Sequence, residues 1–255
     1  MEDGVSSFWG PVTSSIECCE KNYVHSAYVA ELYNTISNIP CIMLALIGLI
    51  NCLWQRCEKR FSVLYTSNLI LTIGSMLYHA TLQHVFQQSD ETPLVWEMLL
   101  YIYILYSPDW HYRSTIPTFI FLYGAVFGIF HFLLDLGIGF KVHFVILCLL
   151  CAPRAYKYYL YTDNIKARRL AKLYVATLIV GCLCWLSDRL FCKAISDWPI
   201  NPQGHALWHL LMGFSSYFAN TFLMFCRAQQ RGWTPKIVNF LGFLPYVTIE
   251  KSKSQ

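Results

Sequence analysis

Charge is scarce in this chain: Asp, Glu, Lys and Arg together make up 13% of its 255 residues, against roughly 25% in ordinary soluble domains. A surface that poor in charge excludes a typical soluble globule. The apolar fraction of 56% and a positive mean hydropathy point to a membrane protein. Other absences narrow the class further. No internal repeat, low-complexity tract or Gly/Ser-rich linker divides the chain, so it reads as one polytopic domain. The net charge is a modest +4, and the basic residues sit in short loops without interleaved aromatics, which excludes a nucleic-acid partner. Residues 1–35 are polar and acidic. They lack the basic start and early apolar stretch of a cleavable signal peptide, so this segment is expected to stay on the chain.

What the sequence does have is a series of apolar runs, each suited to a hydrocarbon core of ~30 Å. They cover about residues 36–54, 61–81, 94–110, 115–134, 140–160, 173–191 and 205–226. The expected fold is all-α, with seven transmembrane helices in one bundle. An acidic N-terminal cap (1–35) precedes the bundle (36–226), and a tail (227–255) follows it. Arg56, Lys59, Arg60, Arg113, Lys166, Arg168, Arg169, Lys172, Arg227, Arg231 and Lys236 flank one set of span ends, whereas only Lys21, Lys141, Arg189 and Lys193 flank the other. That bias places the N-terminus in the lumen or outside and the C-terminus in the cytosol.

With this topology, His25, His79, His84, His131, His143, His205 and His209 share the lumenal side and only His111 is cytosolic. A single interfacial histidine is usually a snorkelling or carbonyl-bonded side chain. "HALWH" is harder to dismiss, because His205 and His209 are four apart and share one helical face. In "GSMLYHATLQHVFQQSDETP", Ser75 and His79 are likewise four apart, and Asp90 follows at the same depth. Two helical histidines plus a third from another helix, with one position left to water, make the donor set of a catalytic zinc centre. Spacing leaves the third ligand open among His79, His84 and His131.

"FWGPVTSSIECCEKNYVHSAYVAELYNTISN", "GSMLYHATLQHVFQQSDE" and "HALWHLLMGFSSY" resemble the three signature regions of the alkaline ceramidases, and the likeness runs over nearly the whole chain. The resemblance, closest to the phytoceramidase-like branch, implies a seven-helix zinc amidase of the endomembranes, related in fold to the progestin and adipoQ receptors. It implies His79, His205 and His209 as zinc ligands, selecting His79 over His84, with Ser75 and Asp90 beside the attacking water. It also implies a calcium site formed by Glu17, the Cys18 carbonyl, Glu20, Asn22 and Glu31, an oxygen set suited to a hard cation. One position departs from the pattern of a family member, which has Asp where this chain has Glu17, and the longer side chain is expected to bind through a shifted geometry or a water.

The expected substrate is a ceramide or phytoceramide held in the bilayer, cleaved to a sphingoid base and a fatty acid. Asp90 would act as base and Ser75 as oxyanion donor. A seven-helix zinc receptor of the progestin and adipoQ type is the alternative. A bis-His haem protein leaves Ser75 and Asp90 without a role, and a Ser/His intramembrane protease leaves "HALWH" unexplained. Cys41, Cys52, Cys148, Cys151, Cys182, Cys184 and Cys226 fall in apolar spans and are expected to pack as small hydrophobes. On the lumenal side, Cys192 is expected to bond Cys19, with Cys18 the less favoured partner. The terminal "KSKSQ" puts Lys251 and Lys253 at the spacing of a dilysine retrieval signal. Vesicle coat proteins would read it, and residence would be in the endoplasmic reticulum or Golgi membrane.

Overall fold

The computed structural model describes residues 6–16, 18–106, 115–196, 198, 201–240 and 242–250. Glu17, His111, Arg113, Lys251 and Lys253 lie outside the described residues. Among the described residues, seven long helices and one short one account for most of the chain. In order they are α1 (Leu32–Ile36), α2 (Asn38–Trp54), α3 (Lys59–Thr81), α4 (His84–Tyr106), α5 (Ile116–Leu134), α6 (Gly137–Tyr161), α7 (Ile165–Ser196) and α8 (Gly204–Gln230).

Among the described residues, five stretches are long and apolar enough to cross a membrane: 32–54, 59–81, 116–134, 137–161 and 165–195. Only 11% of the apolar windows of α5 and α6 is buried inside the protein. Helices that apolar and that bare need a hydrocarbon solvent, because in water such faces would be covered. The chain is a multi-pass membrane protein.

α4 and α8 fall below the same apolarity because they carry the polar interior of the bundle. Asn220 donates to Asn68 Oδ1 at 2.7 Å, Tyr101 donates to Asn220 Oδ1, and Ser216 donates to Glu97 at 3.3 Å. Each polar group is satisfied by protein, as a water-poor environment demands. Below this layer Phe61, Leu64, Tyr65, Ile104, Phe222 and Phe225 form the main apolar core.

The segment after residue 226 differs from the expected tail. α8 continues to Gln230, and β1 (Thr234–Phe240) then pairs antiparallel with β2 (Leu244–Glu250), with Val238 opposite Tyr246. Ile237, Leu244 and Val247 join the main core. Asn51 donates to the Val247 carbonyl at 3.2 Å, and Tyr217 to that of Pro245 at 2.9 Å. "TPKIVNFLGFLPYVTIE" alternates weakly and contains two prolines, which hides its strand character from pattern reading.

At the opposite end the N-terminal segment is laced onto α3. The amides of Thr13 and Ser14 donate to the Leu82 carbonyl at 3.2 and 3.1 Å, and the Ala30 amide to that of Ala80 at 2.9 Å. A disulfide between Cys19 and Cys192, as expected from the sequence, ties the same segment to α7.

Candidate metal centre

The last turn of α3 presents His79, and the first turns of α8 present His205 and His209. Their rings converge, with centroids 5.0 Å apart for His79 and His205, 4.7 Å for His79 and His209, and 4.7 Å for His205 and His209. All three are buried. Gly204 lets the start of α8 pack closely on α7: a Cβ there would lie 2.8 Å from the Cys184 carbonyl oxygen. Asp188 of α7 accepts the His205 amide at 3.3 Å and fixes the start of α8.

Two of the rings are steered from behind. His79 Nδ1–H donates to Glu31 Oε2 at 2.5 Å, while the Glu31 amide donates to the His79 carbonyl at 3.0 Å. His209 Nδ1 lies 3.2 Å from the Asn34 carbonyl oxygen and 2.9 Å from Ser37 Oγ. A carbonyl can only accept, so Nδ1 carries the proton and Nε2 keeps its lone pair. His79 Nε2 and His205 Nδ1 are buried with no hydrogen-bond partner. Buried polar atoms left unpaired are costly, and here they belong to two of three rings that face one another. Rings whose back nitrogens are held by carboxylate or carbonyl are how proteins present imidazole to a metal. The residues fit zinc.

Ser75 lies one turn before His79, and its Oγ is 3.5 Å from His209 Nε2. Asp90 of α4 is half-buried, with Ser75 and His79 both close enough to act on its charge. The close packing of α3 on α4 brings them together. A Cβ at Gly74 would meet the Ser89 carbonyl oxygen at 2.2 Å, a distance only glycine permits. The structure thus gathers Ser75, His79, Asp90, His205 and His209.

The two alternative candidates for the third ligand, His84 and His131, are placed elsewhere. His131 Nε2 pairs with Glu91 at 2.7 Å and stacks between Phe127 and Phe140, and His84 lies against Phe132.

The residues expected to hold calcium are only partly gathered. Glu20 accepts the amides of Tyr33 and Asn34 at 2.7 and 2.9 Å. Glu31 turns its carboxylate to His79 and to Asn34 Nδ2, while Asn22 is exposed. Burial pushes the Glu20 carboxyl up from its ordinary value, and nearby Glu31 adds to the shift. Crowded carboxylates of this kind are suited to a cation, so the described members fit calcium in charge and donor type.

Sequence reading missed three supports: Glu31 behind His79, Asn34 behind His209, and Asp188 under His205. An acidic residue without a basic neighbour in sequence was the only available signal for Glu31. An apolar groove of about 510 Å³ also opens between α3, α4 and α5. Ile70, Trp96, Ile129 and Phe132 line it, with Gln88 and Ser89 just before Asp90 in the chain. Its lining does not include the histidines.

The ceramidase family profile matches residues 10–248. The chain is 73% identical to the alkaline ceramidase of Arabidopsis thaliana, with all of both chains covered. It is 28% identical to alkaline ceramidase 3 of Mus musculus, over 96% of each chain. It is 27% identical to alkaline ceramidase 1 of Homo sapiens, over 80% of this chain and 79% of the other. This chain belongs to the ceramidase family and is an enzyme of the alkaline ceramidase type. The receptor alternative is not favoured.

Proposed function

We propose that this enzyme hydrolyses the amide bond of ceramides, phytoceramide among them, at a zinc centre held by His79, His205 and His209. The observation that carries the reading is the convergence of three buried imidazoles, two with an unpaired ring nitrogen, beside the Ser75–Asp90 pair. When bound, zinc supplies a Lewis acid that polarises a carbonyl and lowers the pKa of water toward ~7.

The chain's own groups do the rest. Glu31 and the Asn34 carbonyl fix the rings of His79 and His209, so that Nε2 of each faces the site. The Asp90 carboxylate accepts a proton from the attacking water and returns it to the leaving amine. Ser75 Oγ–H donates to the oxyanion as the carbonyl becomes tetrahedral, a bond that gains strength where water is excluded. The groove between α4 and α5 suits one hydrocarbon chain of a substrate whose amide sits just below the headgroup level.

On this reading seven helices span the bilayer with the site at the lumenal end, where the Cys19–Cys192 disulfide accords with an oxidising compartment. Calcium would sit among the carboxylates of the N-terminal cap, outside the reaction.

Asp90→Asn should retain zinc and lose nearly all turnover of a phytoceramide in mixed micelles, while Ser75→Ala should cost on the order of 10²–10³ in kcat. Small and equal effects of both substitutions would remove these roles.

A further inference from the structure

Besides the histidines, one more soft donor reaches the cluster. Cys18 Sγ and one ring nitrogen each of His79 and His205 lie within 4.8 Å of one another. Cys18 is outside the disulfide. Its position is nevertheless fixed by its neighbour. Cys19 is bonded to Cys192, its amide donates to Asp188 Oδ2 at 3.3 Å, and its carbonyl accepts Asn201 Nδ2 at 3.1 Å. Asp188 Oδ1 accepts the His205 amide as well, so the cysteine segment and the histidine helix hang from the two oxygens of one carboxylate. The ring atoms that Cys18 approaches belong to residues 0% and 9% exposed, and His79 Nε2 and His205 Nδ1 have no hydrogen-bond partner.

We infer that the Cys18 side chain is a fourth protein donor to the metal of this site and closes the centre in a resting form. The inference rests on the zinc reading proposed above. Thiolate with imidazole is a preferred zinc donor set, and four protein donors give a closed site where three leave a position open. As the sulfur–metal bond forms, the S–H bond breaks, its proton passes to solvent water, and the water in the fourth position is released. Turnover requires the reverse exchange, so Cys18 gates access of water to the metal. The backbone carbonyl of the same residue stays available to calcium, which would let the cap act on the position of the sulfur.

The test is zinc X-ray absorption on the full-length protein, purified in detergent without added chelator. The expected spectrum has one sulfur scatterer at about 2.3 Å among nitrogen donors at about 2.0–2.1 Å, and Cys18→Ser loses the sulfur while keeping the zinc. Zinc with only nitrogen and oxygen neighbours in the parent protein overturns the Cys18 assignment and leaves the three-histidine reading intact. A parent protein without zinc overturns both. Sulfur that persists in Cys18→Ser assigns the scatterer to another cysteine and also overturns the proposal. If Cys18→Ser does not fold, maleimide labelling of the parent protein decides. Cys18 should be protected in the zinc-loaded form and labelled severalfold faster after zinc removal, and equal labelling refutes the inference.

Discussion

His79 is clamped at two points by Glu31, through ring and backbone, although the two residues are 48 positions apart. The pairs that point to a site from sequence are those whose partners share a helix: Ser75 with His79, and His205 with His209. Asp90 could be set at the same depth from the sequence, but its approach to Ser75 depends on how closely α3 packs on α4 at Gly74. Glu31 was placed with the calcium donors, since nothing local says that its carboxylate turns inward to a histidine. That position makes a sharp prediction. Glu31→Gln can still accept the His79 proton but with a neutral oxygen, so zinc affinity and turnover should both fall, by about 10–100-fold. Metal titration against a competing chelator measures this. A variant that loses calcium response while zinc affinity stays unchanged would return Glu31 to the cap alone.

Among elements, the long helices were legible because lipid-facing helices are apolar on every face, and the boundaries of α2, α3 and α5 fall within a few residues of the expected spans. α4 and α8 were legible as helices, but their polar interior escaped notice: Glu97, Asn220 and Ser216 acquire meaning only from partners on other helices. The β1–β2 hairpin was not legible, because its strands gain stability from the core around Val247 more than from their own alternation. The N-terminal cap supports a pH prediction. Burial raises the Glu20 carboxyl, so the fold favours its neutral form. The cap's stability is then complete below the unfolded carboxylate range near ~4.3 and is lost as pH rises through the raised value. A bound cation opposes that loss. With chelator present, protease resistance of residues 6–31 should therefore fall as pH rises above this range, and calcium should restore it. Resistance independent of both pH and calcium would leave the cap as plain structure.

For the whole molecule, loop charge and disulfide chemistry both accord with the proposed orientation. Eleven basic residues flank one set of span ends against four at the other, and the Cys19–Cys192 disulfide joins elements at the basic-poor end. In the orientation proposed above the C-terminus faces the cytosol, where coat proteins would read Lys251 and Lys253. Replacing both with Ser should move the protein toward the later Golgi or cell surface while insertion and specific activity stay the same. Microscopy of tagged protein checks this, and an unchanged distribution, or a C-terminal tag reached from the lumen, would contradict it.

The central claim is that three histidines from two helices hold a metal on which amide hydrolysis depends. Elemental analysis of the purified parent protein and of His79→Ala, His205→Ala and His209→Ala, paired with ceramide hydrolysis, tests it most directly. The account predicts about one zinc per chain in the parent, loss of both zinc and turnover in each of the three variants, and retention of most of both in His84→Ala. A parent protein without zinc, or a His205→Ala variant that keeps its zinc and its activity, would contradict it.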